Sequence, residues 1–590
     1  MNLKRQLPFK FAAIAGLILA AQPVWAIEGG GALLPGAALP ENVGRAIRSE
    51  QPTRQPTQPA PITEPEQQAP SGLTAEAQKI TFQLNGIVLE GNHIYSEAQL
   101  RPIYADKLHK TITVAELFAI IQNITNYYRN NGYIISRAVL PPQHVKGGII
   151  HVLVIEGYIG KVDVSGKPRG AKCLVQAFGD RIRACRPLQV SRMEKYLLLA
   201  NSIPGTEVKA VLAPSKTETG AADLTLVTEN QPVVGYLSYD NYGTRYIGPQ
   251  QMTANVGLTS ILTSGDLAQA TYTKTPRGSE LTYGDINYNM GLWDEGMRWL
   301  IGGSNVHTRP LFVLQPSKID GLTNNYYTNL QFPLIRTRTD SLSTRAGFNY
   351  LDSHVTTFDQ ELYTDHLRNI DLGVTYNFAD KWLGSNLINA DLRQGLPIAG
   401  YTSDTNIQTA QTSRPGGHAV YTKLAAQVSR LQAIRGPLSV YGLLSGQYTP
   451  TALLASEQFT FGGSQLGRGY DVAEIIGDKG AAASVELRFD VAVGKILQGL
   501  QFYAYYDAGM IWNYNLVGGT PRKQSAVSTG LGTRFFFTKW VTGNIMWTQP
   551  LTKQVAALQA TDQVLVNGQI ENKGNGKEPR VFFSVVASLD

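Results

Sequence analysis

Apolar positions change their period twice along this chain. The first pattern is an unbroken apolar run, Phe11–Ala21, set behind Lys4, Arg5 and Lys10 and ahead of Val24-Trp25-Ala26, whose small residues suit a cleavage site. Residues 1–26 are therefore expected to be a secretory signal peptide; the run is too short for the ~20 residues a membrane-crossing helix needs. From about residue 79 to 157 the order reads strand, helix, helix, strand, strand. Phe82–Glu90 alternates up to the turn at Gly91-Asn92. Thr113-Val-Ala-Glu116 is a capping box, followed by Val114, Leu117, Ile121, Ile124 and Tyr128 at three- and four-residue steps until Gly132. Tyr133–Leu140 and Ile149–Ile155 then read as strands around Pro141-Pro142-Gln143 and Gly147-Gly148. A second α+β unit is expected over 158–230, with a capping box at Ser191-Arg-Met-Glu194 before Tyr196–Ala200 and strands at Val208–Leu212 and Ala222–Val227.

Helical periodicity then disappears. From 231 to 590 the chain consists of segments of dyad alternation, among them Arg298–Ser304, Leu342–Tyr350, Leu438–Leu444 and Val581–Leu589, separated by Gly, Asn, Asp, Ser and Thr clusters. At ~10 residues per spanning strand plus turns and loops, this length holds about sixteen strands. No later segment approaches eighteen consecutive apolar residues, so membrane residence requires a closed barrel. The fold class expected is a transmembrane β-barrel of about 16 antiparallel strands, preceded by two small α+β domains. Ahead of them, residues 27–51 contain a candidate short helix, Pro40–Arg48, with proline at its start and Arg45 and Arg48 toward its end; Gly44 is expected to weaken it. Residues 52–78 form a proline-rich linker whose composition favours extended chain and cannot bury a core.

Composition narrows the function classes. Only 16% of residues are charged, with 58 Gly, 28 Tyr and 2 Cys in 590, which fits neither a cytosolic enzyme nor a disulfide-built scaffold. The net charge of +7 is spread without a basic block, so nucleic acid is not an expected partner. The Gly-Lys pairs beginning at 160, 166, 494 and 576 lack the Ser or Thr of a P-loop. His-Glu-x-x-His and Gly-x-Ser-x-Gly are absent and the 8 histidines are scattered, so no catalytic residue, metal or cofactor is expected. Cys173 and Cys185 lie together in the second unit of an exported chain and are expected to form a disulfide, with two reduced thiols as the alternative.

One stretch stands out chemically: Phe461-Gly-Gly-Ser-Gln-Leu-Gly-Arg-Gly-Tyr470-Asp471, followed some forty residues later by Tyr505-Tyr-Asp-Ala-Gly509. A lone arginine between glycines and a lone aspartate within an aromatic strand suggest a loop folded into a pore and pinned to its wall, since a guanidinium in a constricted lumen needs a carboxylate.

These residues resemble the TpsB-type outer-membrane transporters of two-partner secretion, the haemolysin secretion/activation proteins. The resemblance covers nearly the whole chain after the leader. Thr125-Asn-Tyr-Tyr-Arg-Asn-Asn-Gly-Tyr133, Pro142-Gln143 and Ile155-Glu-Gly157 are similar to a polypeptide-transport-associated (POTRA) domain. Val211-Leu-Ala-Pro214 with Gly220-Ala-Ala-Asp-Leu224 resembles the end of a second one, and Asp240-Asn-Tyr-Gly-Thr-Arg-Tyr-Ile-Gly248 the first barrel hairpin. Ser456–Gly463, Gly467-Arg-Gly-Tyr470, Gly477-Asp-Lys-Gly480 and Glu486-Leu-Arg488 resemble the loop-six region. The chain departs from the family pattern in ending Ala587-Ser-Leu-Asp590 without a terminal aromatic residue, and in carrying Tyr505 where Phe is usual.

The resemblance implies POTRA domains over 79–157 and 158–230 and a barrel over 231–590. Loop six would carry its lock at Gly467, Arg468, Gly469 and Tyr470, with Tyr505, Asp507 and Gly509 as the wall partner. The helix bearing Val43, Arg45, Ile47 and Arg48 would plug the resting pore. The implied location is the outer membrane of a Gram-negative bacterium, with the POTRA domains in the periplasm. The implied partners are a secreted TpsA-type exoprotein captured unfolded, outer-membrane lipid, periplasmic chaperones and the barrel-assembly machinery. A barrel-assembly insertase of the same superfamily is the alternative.

Overall fold

Alternation of side chains across sixteen strands closes one sheet on itself. In the computed structural model, which describes residues 34–50, 80–218, 220–276, 278–403, 411–514, 522–552, 563–566, 569–572 and 577–589, the barrel runs from Val233–Asp240 to Arg580–Ser588. Neighbours are antiparallel throughout, and the first strand pairs with the last. The expected signal peptide and proline-rich linker lie outside the described residues. Strand Lys479–Ala492 shows the principle: Ser484 and Glu486 are buried inward, whereas Val485 and Leu487 are exposed on the outer surface. The same step separates Asp285, at 4% exposure, from Ile286, at 71%. Apolar outside and polar inside is the arrangement a barrel needs in lipid. No helix among the described residues is long and apolar enough to cross a membrane.

Strand lengths range from 8 residues in Val233–Asp240 to 20 in Gln360–Ala379, so the wall is uneven in height. Its thinnest seam is where the ends of the sheet meet: Ser584–Ser588 pairs with Asp240–Tyr236 over only five positions, against eight between the first strand and Gln251–Thr259. Beyond that ladder, the Asn241 side chain continues the seam, donating to the Val581 carbonyl at 2.9 Å and accepting from the Phe583 N–H at 2.7 Å.

Ahead of the barrel stand two α+β units. In the first, Gly86–Glu90 lies parallel to Ile149–Ile155, which pairs antiparallel with Arg137–Val139. Helix Val114–Asn130 covers this sheet with Leu117, Ile120, Ile121, Ile124 and Tyr128, each fully buried side chain contributing about 1.5–3 kcal/mol. Its capping box forms as expected: the Glu116 N–H donates to Thr113 Oγ1 at 3.1 Å, and the Thr113 N–H donates to Glu116 Oε2 at 2.9 Å. Glu156, from the Ile155-Glu-Gly157 motif, joins helix to loop by accepting from Tyr128 Oη at 3.0 Å and from the Ile94 N–H at 2.7 Å. The strand expected over Tyr133–Leu140 shrinks to Arg137–Val139 because Tyr133–Ser136 makes a turn, with the Ser136 N–H donating to the Tyr133 carbonyl at 3.1 Å.

The second unit repeats the plan, with Tyr158–Lys167 parallel to Ala221–Asn230 and the latter antiparallel to Thr206–Pro214. Its second helix begins at Val190 rather than after Ser191, and Ser191 caps nothing. The Val190 N–H instead donates to the Gly132 carbonyl at 2.9 Å, so the first unit satisfies that helix end. This unit is docked on the nearer barrel turns. Arg181 grips Asp294 with Nε at 2.7 Å and Nη2 at 2.9 Å, Lys195 and Tyr196 both reach Glu295, and Arg338 of the barrel reaches back to Glu194 at 2.8 Å.

The expected Cys173–Cys185 disulfide does not form; both cysteines are free. Residues Lys172–Arg183 form a helix, with Cys173 in its first turn and Cys185 just past its end. Twelve helical steps separate them by about 18 Å along the axis, well beyond the ~7 Å over which two Cα atoms can be bridged. The helix was legible in Val175, Phe178 and Ile182, a buried stripe on one face that the paired-cysteine reading passed over. Exposed Cys173 is expected to react with a maleimide in non-reduced protein, measured by mass spectrometry; a labelled product obtained only after reduction would overturn the free-thiol assignment.

Candidate functional site in the barrel lumen

The sixth outer loop, residues 449–478, joins Leu438–Tyr448 to Lys479–Ala492 and folds into the barrel rather than away from it. Its stem is a small hairpin, Phe459–Phe461 against Ile475–Gly477. At its tip Gly467 adopts φ +75°, a conformation side chains disfavour, which turns two backbone N–H groups toward the wall. Those of Gly467 and Arg468 both donate to Asp507 Oδ2, at 3.1 and 3.0 Å. The Arg468 guanidinium completes the grip, with Nε to Asp507 Oδ2 at 3.0 Å and Nη2 to Asp507 Oδ1 at 2.8 Å. Its remaining donors reach Glu486 Oε2 at 2.5 Å and Ser484 Oγ at 2.9 Å, while its plane lies 3.6 Å from the Tyr505 ring centroid.

Asp507 is fully buried and Arg468 is 6% exposed, so this cage is dry and fully paired. Gly469 donates to Ser528 Oγ at 3.3 Å, and Tyr470 Oη donates to the Val527 carbonyl at 2.7 Å. Gly509 leaves room for the loop: a Cβ there would lie 2.3 Å from the Phe461 ring. Arg468 and Asp507, with their expected neighbours, are thus brought into one constellation.

Three further carboxylates hold the same loop. Glu457 takes Arg393 at 3.1 Å and Lys423 at 2.5 Å, Asp471 lies between Arg245 and Arg580 at 2.5 and 2.9 Å, and Asp478 accepts from Arg414 Nη2 at 2.9 Å. Sequence reasoning missed these roles, although Glu457, Asp471 and Asp478, like Glu486, all fell inside quoted motifs. The available signal was the same in each case, an acidic residue in an otherwise neutral barrel or loop segment. The cations that answer them lie up to 226 residues away, as for Arg245 and Asp471.

A second element fills the lumen. Helix Pro40–Glu50 follows a tight turn at Gly36–Ala38, with Glu41 in its first turn and Arg48 in its last. Val43 and Ile47 pack with Ala37 and Ala38 against Tyr246, Ile247, Leu281, Tyr283 and Val306. Gly44, expected to weaken the helix, is where it meets the wall: a Cβ there would stand 2.5 Å from Val306 Cγ2. Arg45 Nη1 donates to the Gln458 carbonyl at 3.0 Å, and Gln465 Nε2 donates to the Ser49 carbonyl at 2.9 Å, so plug and loop six touch each other as well as the wall. Arg48 is partly buried beside them.

Glu41 is buried and accepts from Ser353 Oγ at 3.1 Å and Tyr363 Oη at 3.1 Å. Burial, with the charge of Asp365 as the second cause, pushes its carboxyl up to about 7.

Set against known proteins, the chain matches the family described as haemolysin secretion/activation protein ShlB/FhaC/HecB over residues 220–535, and a ShlB-type POTRA domain over residues 82–157. The chain belongs to the ShlB/FhaC/HecB family. Among its relatives, the outer membrane transporter CdiB of Dickeya dadantii (strain 3937) is 23% identical over 505 residues, covering 82% of this chain and 87% of that protein. The heme/hemopexin transporter protein HuxB of Haemophilus influenzae (strain 86-028NP) is 22% identical over 450 residues, covering 74% and 78%. The solved structure of CdiB from Escherichia coli superposes with a TM-score of 0.66 at 18% identity, over 88% of this chain and 92% of that one, a likeness of fold. Family membership accounts for the closed barrel with a POTRA domain ahead of it, and makes this chain an outer-membrane transporter of the two-partner secretion type.

Two outcomes follow from the site geometry. Arg468→Ala leaves Asp507 and Glu486 buried without their shared cation and is expected to weaken the hold on loop six by about 3–5 kcal/mol; limited proteolysis should then cut within 449–478 while the barrel keeps its heat-resistant mobility on gels. For Glu41, the carboxyl titrates near 7 in the plugged state and near its ordinary 4.5 once the helix is released. Between those values the plugged state holds the extra proton, so plugging is favoured below the window and loses that advantage as pH rises through it. Channel openings in planar bilayers are expected to become more frequent from pH 5 to pH 7.5, and Glu41→Gln should flatten that dependence.

Proposed function

We propose that this chain captures an unfolded TpsA-type exoprotein in the periplasm through its α+β units and exports it through the barrel. The observation that carries this reading is a transporter-family barrel whose lumen is occupied by two elements that are not wall, loop six and the plug helix, each held by side-chain contacts that can be exchanged without unpairing a strand. Capture uses open sheet edges. Gly86–Glu90 and Tyr158–Lys167 each end their three-stranded sheet, and an extended segment can add to either through backbone hydrogen bonds. Export requires the plug and loop six to give way, and folding of the exoprotein outside supplies the drive, because the outer membrane has no nucleotide supply. The chain acts here as a conduit rather than as a catalyst. The wider partner set consists of outer-membrane lipid around the apolar outer face, with chaperones and assembly machinery during its own biogenesis.

Deleting this chain is expected to trap in the periplasm one large exoprotein encoded beside its gene, leaving other outer-membrane barrels at normal levels; the medium and periplasm are assayed for the exoprotein and the membrane for barrels. General loss of barrels would instead mark an assembly insertase. Arg468→Ala is expected to lower secretion of that exoprotein while the variant barrel remains inserted.

A further inference from the structure

The plug and loop six do not fill the lumen evenly. The plug packs against the wall strands that carry Tyr283, Val306, Ser353 and Tyr363. Loop six is pinned to strands that carry Glu486, Asp507 and Ser528. Between these two sectors, where the barrel's first and last strands meet, a cavity of about 160 Å³ remains. Its fixed wall includes Ser238 and Asp240 of the first strand, Thr253 of the second, and Ser584 and Val586 of the last. Its other side is movable: Ile47 belongs to the plug and Gln465 to loop six. The hydrogen bond from Gln465 to the Ser49 carbonyl joins those two elements beside it.

Its chemistry differs from that of the surrounding lumen. Away from the plug-covered sector, the inner wall carries interlocked ions, such as Arg345 with Asp371 and Asp391, Arg393 and Lys423 with Glu457, and Arg534 with Glu486. A polypeptide passing there would have to break those pairs or would be held by them. The fixed cavity wall offers the hydroxyls of Tyr236, Ser238, Tyr242, Thr253 and Ser584, the Gln251 amide, apolar Val586 and a single carboxylate, Asp240, a mixed surface with no cation whose uncharged groups exchange hydrogen bonds with any backbone. It also lies on the barrel's shortest ladder, where the wall is tied by the fewest backbone bonds.

Resting on the transporter reading above, we infer that the exported polypeptide crosses the barrel as an extended chain along the inner faces of the first, second and last strands, the sector of Ser238, Thr253 and Ser584. Withdrawal of Ile47 and Gln465 widens the cavity that already exists there, and the ion pairs elsewhere on the wall stay intact.

The test uses the exoprotein whose secretion depends on this chain, stalled in transit by a disulfide-locked domain fused to its C-terminus. A photo-reactive residue is placed at Ser238 or Ser584 and, for comparison, at Ser304 or Asn325, which are buried on the plug-facing wall. Crosslinks to the stalled chain are expected to be at least several-fold stronger at 238 and 584. Equal or stronger crosslinks at 304 and 325, with secretion of the unstalled exoprotein intact, would overturn the route and leave the transporter assignment standing. As a second measurement, Thr253→Trp narrows the sector and is expected to slow export several-fold in a barrel that keeps its heat-resistant mobility; export at the wild-type rate from that barrel would also overturn the route.

Discussion

Everything inside this barrel is arranged around the cost of a charge away from water. Arg468 is carried into the lumen on a loop, and once there its guanidinium must be paired or the loop cannot stay. Asp507 and Glu486 supply the charge, Ser484 takes a remaining donor, and the Tyr505 ring covers the plane. The cage in turn determines neighbouring contacts: Glu486 also orders Arg488 and Arg534, and the turn at Gly467 exists because two N–H groups there complete the Asp507 shell.

The plug is held differently. Its contacts are an apolar stripe, a carbonyl accepting from Arg45, the Ser49 carbonyl accepting from Gln465, and the hydroxyls around Glu41. Loop six is therefore fixed by desolvated ion pairs, whereas the plug rests on packing and on a carboxyl that prefers to be neutral. Elements held by such different forces are expected to respond to different perturbations, the first to loss of a partner charge and the second to loss of the Glu41 proton. The docking of the second α+β unit through Arg181, Lys195 and Glu194 belongs to a third kind, partly exposed ion pairs that orient a domain while contributing modest stability.

Some of this was legible in the residues. Dyad alternation gave the barrel because the pleat forces neighbouring side chains to opposite faces, and one of those faces must meet lipid. Thr113 and Glu116 marked a helix start because a capping box is local chemistry. Arg468 and Asp507 could be paired because each is a lone charge in neutral surroundings. Local rules also failed where distant contacts intervened. Ser191 looked like a cap, yet the Gly132 carbonyl takes the helix end. Cys173 and Cys185 looked like a bridge until a helix held them apart. Gly44 looked like a weak point in a helix, yet it is where the helix approaches Val306.

By itself the sequence determined the class of fold and pointed to the Arg468–Asp507 pair, because periodicity and the scarcity of charge are properties of the chain read in order. It could not determine that Asp471 bridges Arg245 and Arg580, that Glu41 meets Ser353 and Tyr363, or which sector of the lumen keeps a cavity. Those depend on which strands closure of the sheet sets beside one another and on how deep the loop and plug sit. Burial, and with it the energy of every buried charge in the lumen, exists only once the chain has folded.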